Sequence, residues 1–246
     1  MIQKNLRFRY SLVLFTLLTC ISSGLMAGTL ALGEKNKKKE KKELLTCDGP
    51  YILYQPGGGA RVIAVNERGA ILDTTYATLP DDFSFRVSDH KGRYPFTVKL
   101  HPSKRQNWQW QQAGKVFVMS DPHGKMDCLV SLLQGNHVID RDLHWSFGNN
   151  QLMVIGDVFD RGKDVTQIFW FFYKLEAEAE AAGGKVSFLL GNHEPMVLAG
   201  DMRYSKGKYQ ALADTLGMSY RSLWSANTEL GKWLATRNTM QIIGKD

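Results

Sequence analysis

Leu152-Met-Val-Ile-Gly156-Asp157-Val-Phe-Asp160-Arg161-Gly162 is a short apolar run that ends abruptly in glycine and charge. Leu152 to Ile155 has the character of a strand buried on both faces, and the residues that follow cannot extend it. Two other stretches repeat the arrangement. Val116-Phe-Val-Met119 runs into Ser120-Asp121-Pro-His123-Gly124, and Val186-Ser-Phe-Leu-Leu190 runs into Gly191-Asn192-His193-Glu194. Between the second and third runs lies a helical segment, about Val165 to Ala182, closed by Gly183-Gly184. Strand, polar turn, helix, strand is a βαβ rhythm. It predicts an α/β fold with a parallel sheet and sets the three polar clusters at strand C-termini, where such folds place their sites.

The spacing carries the chemistry. Asp121 and Asp157 are 36 residues apart, and Asp157 and Asn192 are 35 apart, so each cluster falls one βαβ step after the last. Adjacent parallel strands would bring all three to one edge of the sheet. The Asp121-x-His123 pair offers a hard oxygen and an imidazole to a first metal ion. Asp157 can bridge two ions through its two oxygens, and Asn192 can offer a carbonyl oxygen to the second. Mixed nitrogen and oxygen ligands suit Mn, Fe or Zn better than Ca or an all-thiolate site. Two such ions about 3.5–4 Å apart activate a water and clamp a phosphate for in-line attack. Each cluster alone is weak evidence, because Asp and His commonly share turns; three in order, equally spaced, at three strand ends are not. His90, His101, His137 and His144 stand outside the pattern and read as surface or packing residues.

Outside this half the chain is less informative. Residues 47–114 are β-rich: Arg61-Val-Ile-Ala-Val65 and Ala70-Ile-Leu72 flank the hairpin signal Asn66-Glu-Arg-Gly69. Phe83–Val87 and Pro95–Leu100 alternate as half-buried strands do. Gly57-Gly58-Gly59 lacks the Gly-Lys-Ser/Thr of a phosphate loop and reads as a turn. Trp108 and Trp110 read as packing residues.

The formal charge of +7 suggests nucleic acid only until the chain is divided. Residues 1–43 hold 9 Lys/Arg against 3 Glu, leaving 22 against 21 for the remainder, so the folded body is close to neutral. No nucleic-acid partner is expected. Lys4, Arg7 and Arg9 precede an uncharged stretch from Tyr10 to Gly33 with a dense apolar core at Leu12–Leu18, the pattern of an export signal or anchor. Residues 1–33 are therefore expected to direct export to the periplasm or envelope, whether cleaved, lipidated at Cys20 or retained in the membrane. Residues 34–46, mostly Lys and Glu, form a solvated basic linker. Three cysteines without a Cys-x-x-Cys pair exclude a disulfide scaffold and a zinc ribbon.

Asp-x-His-Gly, Gly-Asp-x-x-Asp-Arg-Gly and Gly-Asn-His-Glu together resemble the calcineurin-like metallophosphoesterases, in their phosphoprotein phosphatase branch. Gly-Asp-Val-Phe-Asp-Arg-Gly, with the later Gly200-Asp-Met-Arg-Tyr204, is most similar to the Shewanella-like phosphatase subgroup. The resemblance covers about 116–246. It implies a metallophosphoesterase β-sandwich flanked by helices, here residues 115–246 as the N-terminal half of the domain, preceded by the small β-rich region. It further implies a dinuclear centre, with Asp121, His123 and Asp157 on the first metal and Asp157 and Asn192 on the second. His193 would be the general acid, oriented by Asp160. Arg161 would grip the phosphate of a phosphorylated substrate, and Arg203 would make a second phosphate contact.

There are two departures from the family pattern. Ser120 replaces the usual glycine before the first aspartate. The family also continues to two further histidine ligands, whereas no histidine follows His193 and the sequence stops at Asp246. A fragment or a natural truncation is expected on that ground. The leading expectation is a metal-dependent phosphomonoesterase. A nucleotide or diester hydrolase and a catalytically inactive envelope protein stand as the rival readings.

Overall fold

The computed structural model describes residues 45–111 and 114–244. The export signal and most of the linker expected at the N-terminus lie outside the described residues. The described residues fall in one compact unit.

The chain begins with three antiparallel strands, β1 (Asp48–Tyr54), β2 (Ala60–Val65) and β3 (Ile71–Tyr76), in the order β1-β2-β3. The hairpin expected at Asn66–Gly69 joins the second and third. Its Asn66 side chain accepts the amides of Arg68 and Ala70, and Gly69 takes the left-handed φ of 75° that a side chain would disfavour. A second antiparallel pair follows, β4 (Ser84–Val87) with β5 (Phe96–Lys99). After the short β6 (Gln109–Trp110) come the elements that carry the polar clusters. These are β7 (Val116–Ser120), α1 (Met126–Gly135), β8 (Gln151–Ile155), α2 (Val165–Ala181) and β9 (Lys185–Leu189). The chain continues through α3 (His193–Leu198), α4 (Gly207–Leu216), a 3-10 turn (Tyr220–Trp224), α5 (Glu229–Ala235) and β10 (Ile242–Ile243), which pairs in parallel with β6.

β7, β8 and β9 form the expected parallel sheet, in that order. The register aligns Ser120 with Ile155 and Ile155 with Leu189. All three strands therefore end level, and the loops beginning at Asp121, Gly156 and Leu190 emerge side by side. Parallel strands need a crossover, and α2 supplies it between β8 and β9.

α2 explains why the β-rich region exists. Eleven consecutive side chains, Val165 to Leu175, are buried, so the helix has no solvent face over its first three turns. A helix apolar all round must be enclosed. β9 covers it on one side, and β5 and β1 pack against it on the other. Phe171 meets Phe96 of β5 edge to face at 5.1 Å, and Trp170 meets Phe85 at 4.8 Å while its indole donates to the Pro50 carbonyl. Lys174, the one cation in this run, is held by the Leu143 carbonyl and Glu178, each at 2.8 Å.

One packing expectation is corrected. Trp110 is partly covered, with the Lys185 ammonium 3.7 Å from its ring centroid, but Trp108 is 63% exposed. The pair sits on a two-stranded ribbon too small to bury two indoles. No helix among the described residues is long and apolar enough to cross a membrane.

Candidate metal centre

The first two strand-end loops have unusual backbones. Asp121, His123, Asp157, Asp160 and Arg161 all have positive φ, between 39° and 71°. Left-handed conformations of non-glycine residues cost about 1–3 kcal/mol each and persist only where the surroundings enforce them. Here the enforcement is backbone against backbone. A Cβ on Gly156 would collide with the backbone of Gly191, and one on Gly162 with the carbonyls of His123 and Gly124. The glycines of the three clusters let the loops touch. Cross-loop bonds then fix them: the His123 amide donates to the Asp157 carbonyl at 3.0 Å, and the Asp121 amide to that of Gly156 at 3.2 Å.

Glu194 is the central fastener. It is fully buried, and its carboxylate accepts the amides of Asp157 (2.9 Å), Val158 (2.9 Å) and Gly191 (2.7 Å). Burial pushes its carboxyl above the usual range, against the pull of those three amides. The sequence shows Glu194 next to the ligand histidine but not that it ties the second loop to the third.

Inside this frame the donors converge. Ligand-capable atoms of His123, Asp157 and His193 lie within 4.8 Å of one another, and Asp121 Oδ1 lies 3.5 Å from His123 Nε2. The His123 tautomer follows from its neighbour. Nδ1 is 2.7 Å from the Phe159 carbonyl, which can only accept, so a proton sits on Nδ1 and the neutral ring presents its lone pair at Nε2. That Nε2 is buried and has no hydrogen-bond partner. A buried acceptor without a donor is costly in protein but is what a metal ligand requires, with the second ring nitrogen tied to a carbonyl. The donor set, imidazole with carboxylates, fits a first-row divalent ion.

The remaining expected residues are distributed around these donors. Asp157 Oδ1 accepts the His193 amide at 2.8 Å. Asn192 precedes α3 on the exposed side, its amide 3.9 Å from the Met196 sulfur. His193 is buried, its ring edge-on to that of His123 at 4.7 Å, with Nδ1 2.6 Å from Asp160 Oδ2. Asp160 is also buried, and its other oxygen accepts from Ser205 Oγ at 2.5 Å. Arg161 is exposed beside Asp160, its amide bonded to the Tyr204 carbonyl. Arg203 forms a two-bond ion pair with Asp201 at the surface. Ser205 had no sequence signal, since an isolated serine 45 positions from its partner carries none.

A second group of donors, Asp89, His90 and Asp164, also clusters. Its chemistry differs, because Asp89 is occupied by the Arg93 guanidinium and the amides of Lys91 and Arg93. His90 Nδ1 is 2.7 Å from Asp164 Oδ1, a packing arrangement of the kind expected for it.

Residues 114–244 match the family described as Calcineurin-like phosphoesterase. Shewanella-like protein phosphatase 2 of Arabidopsis thaliana is 34% identical over 123 residues, 48% of this chain and 32% of the relative. Shewanella-like protein phosphatase 1 of Plasmodium berghei is 34% identical over 106 residues, 43% of this chain and 29% of the relative. Among solved structures, the cold-active protein-tyrosine phosphatase of a psychrophile Shewanella sp. superposes with a TM-score of 0.72 at 34% identity, over 80% of this chain and 59% of that one. The matched stretches thus span about a third of these curated relatives and under two thirds of the solved neighbour.

Proposed function

The chain belongs to the calcineurin-like phosphoesterases, a family that uses a dinuclear divalent metal centre, and on that premise we propose that it hydrolyses phosphomonoesters. The observation that carries the reading is the buried, unpartnered Nε2 of His123, set among carboxylates at the level ends of three parallel strands. Asp121, His123 and Asp157 would hold the first ion, and Asp157 and Asn192 the second. Bound divalent ions supply Lewis acidity toward phosphoryl oxygens and a lowered pKa for a water.

The rest of the chemistry belongs to the protein. Asp160 holds the Nδ1 proton of His193, which leaves Nε2 to carry the proton that the departing oxygen needs. Arg161 presents a guanidinium fork that matches phosphate oxygens. Arg203, ion-paired with Asp201 in the structure, would make the secondary phosphate contact. His193 and Asp160 are both buried, so the pair that moves the proton is shielded from bulk water while Asp121 and Asn192 face solvent.

The solved neighbour is a cold-active protein-tyrosine phosphatase. That supports an aryl phosphate, such as a phosphotyrosine side chain, as the substrate class, and Mn²⁺ is the metal proposed. The export reading of residues 1–33 is proposed with it, giving a periplasmic or envelope-attached enzyme. Fractionation that leaves the protein in the cytoplasm with Met1 retained removes that part.

The functional test compares p-nitrophenyl phosphate with bis(p-nitrophenyl) phosphate in the presence of Mn²⁺. Multiple turnover of the monoester, abolished by chelation and by Asp157→Asn, supports the proposal. Preference for the diester moves the assignment to a phosphodiesterase, and activity unaffected by chelator removes the metal mechanism.

A further inference from the structure

We infer that Ser205 is a positioning residue for the proton-donating pair His193–Asp160, an inference that rests on the role of His193 proposed above. The Asp160 carboxylate is fully buried and is held at both ends. Oδ2 faces His193 Nδ1 at 2.6 Å, and Oδ1 accepts the Ser205 hydroxyl. A carboxylate held at one oxygen only can swing about its terminal torsion, which is broad and roughly two-fold. Held at both, its plane is fixed and Oδ2 stays aimed at the imidazole.

The turn carrying Ser205 is built as a support. Its Tyr204 carbonyl accepts the Arg161 amide at 2.9 Å, so two bonds in succession, at Asp160 and Arg161, join it to the loop where both residues have positive φ. The Ser205 amide closes back on the Met202 carbonyl at 3.0 Å, which orients the hydroxyl before it meets Asp160. The Tyr204 ring lies 5.6 Å from that of His193, on the exposed side of the pair. The turn therefore holds His193 through Asp160 and borders it through Tyr204. The partners of the Ser205 hydroxyl are Asp160 and, at 3.8 Å, the Met202 sulfur, so its route to the imidazole is through Asp160.

A positioning role for the proton donor has a signature that general structural damage lacks. Protonation of the departing oxygen matters for a poor leaving group and little for a good one. The full chain with Mn²⁺ is assayed on phenyl phosphate and on p-nitrophenyl phosphate. Ser205→Ala should lower kcat on phenyl phosphate by about tenfold and on p-nitrophenyl phosphate by less than about twofold, with KM for both unchanged. Ser205→Thr, which keeps a hydroxyl, should restore the phenyl phosphate rate. Equal losses on both esters, no loss on either, or failure of the threonine to rescue overturns the inference.

A second readout needs neither metal nor turnover. In the metal-free protein the His193 Nδ1 proton, shared with a fixed carboxylate, should give a protected downfield NMR signal that broadens in Ser205→Ala and persists in Ser205→Thr. An unchanged signal in Ser205→Ala overturns the inference. A parent protein that shows this signal yet hydrolyses neither ester instead removes the phosphatase reading.

Discussion

Glu194 Oε2 accepts the backbone amide of Asp157 at 2.9 Å, which ties the third strand-end loop to the second across 37 positions of sequence. The same carboxylate takes the amides of Val158 and Gly191. One buried side chain thus sets the distance between the loop that carries Asp157 and the loop that carries Asn192 and His193.

Replacing Glu194 with Ala leaves three amides, one buried and two part-buried, without their acceptor. Each unsatisfied buried donor costs about 1–3 kcal/mol, so destabilisation of about 3–5 kcal/mol is expected in urea unfolding. Glu194→Gln keeps a carbonyl oxygen and should retain part of the loss. A Glu194→Ala protein within about 1 kcal/mol of the parent would show that the loops are held together by other contacts.

Gly156 has a φ of 51° and lies against the Gly191 backbone, with Glu194 Oε2 only 2.8 Å from where a Cβ would stand. Neither backbone can retreat without breaking the Glu194 bonds. Gly156→Ala should cost more than about 3 kcal/mol, the range of strain and overpacking combined. Gly183→Ala is the control: it also has positive φ but has nothing within 4 Å, so it carries the conformational penalty alone. Equal losses in the two variants would contradict the close-approach argument.

A site that binds metal only when folded stabilises the fold by mass action. Mn²⁺ at about 100 times its dissociation constant should add about 2.7 kcal/mol, and chelator should remove it. The shift in melting temperature should vanish in Asp157→Asn and His123→Ala. A shift that survives both substitutions would place the metal elsewhere, with the Asp89–His90–Asp164 group the first alternative to probe.

Glu178 gives the pH dependence. Burial pushes its carboxyl up, but the Lys174 ammonium, the Trp145 amide and His144 together outweigh it and hold the group below its usual value. A carboxyl depressed in the folded state contributes stability above the unfolded value, and that contribution is lost as pH falls through the folded one. The protein should therefore weaken on acidification below the ordinary glutamate range, and Glu178→Gln should be less stable at neutral pH with a flatter acid limb. An acid limb of unchanged slope in that variant would assign the effect to other carboxylates.

Much of the site was legible because its spacing is a property of the repeat. A strand, a turn and a crossover helix repeat with similar length here, so clusters 36 and 35 residues apart mark successive strands, which pair as neighbours. The abrupt change from Ile155 to Gly156-Asp157 marked a strand end because apolar β-formers and backbone-permissive residues serve opposite ends of that junction. The error at Trp108 has the same root. Local alternation says which side a residue faces but not whether anything lies on that side.

By itself the sequence determined the parallel strands, the crossover helix, the polar residues that gather at the strand ends and the family they belong to, all of them encoded within a span of a few turns. The tertiary structure alone decided that α2 is enclosed by the β-rich region, that His123 presents a lone pair, that Glu194 staples two loops and that Ser205 holds Asp160. The physical reason is that hydrophobic period and turn chemistry act between near neighbours. A hydrogen bond between residues 37 or 45 positions apart exists only once the packed core has fixed both partners to within a fraction of an ångström.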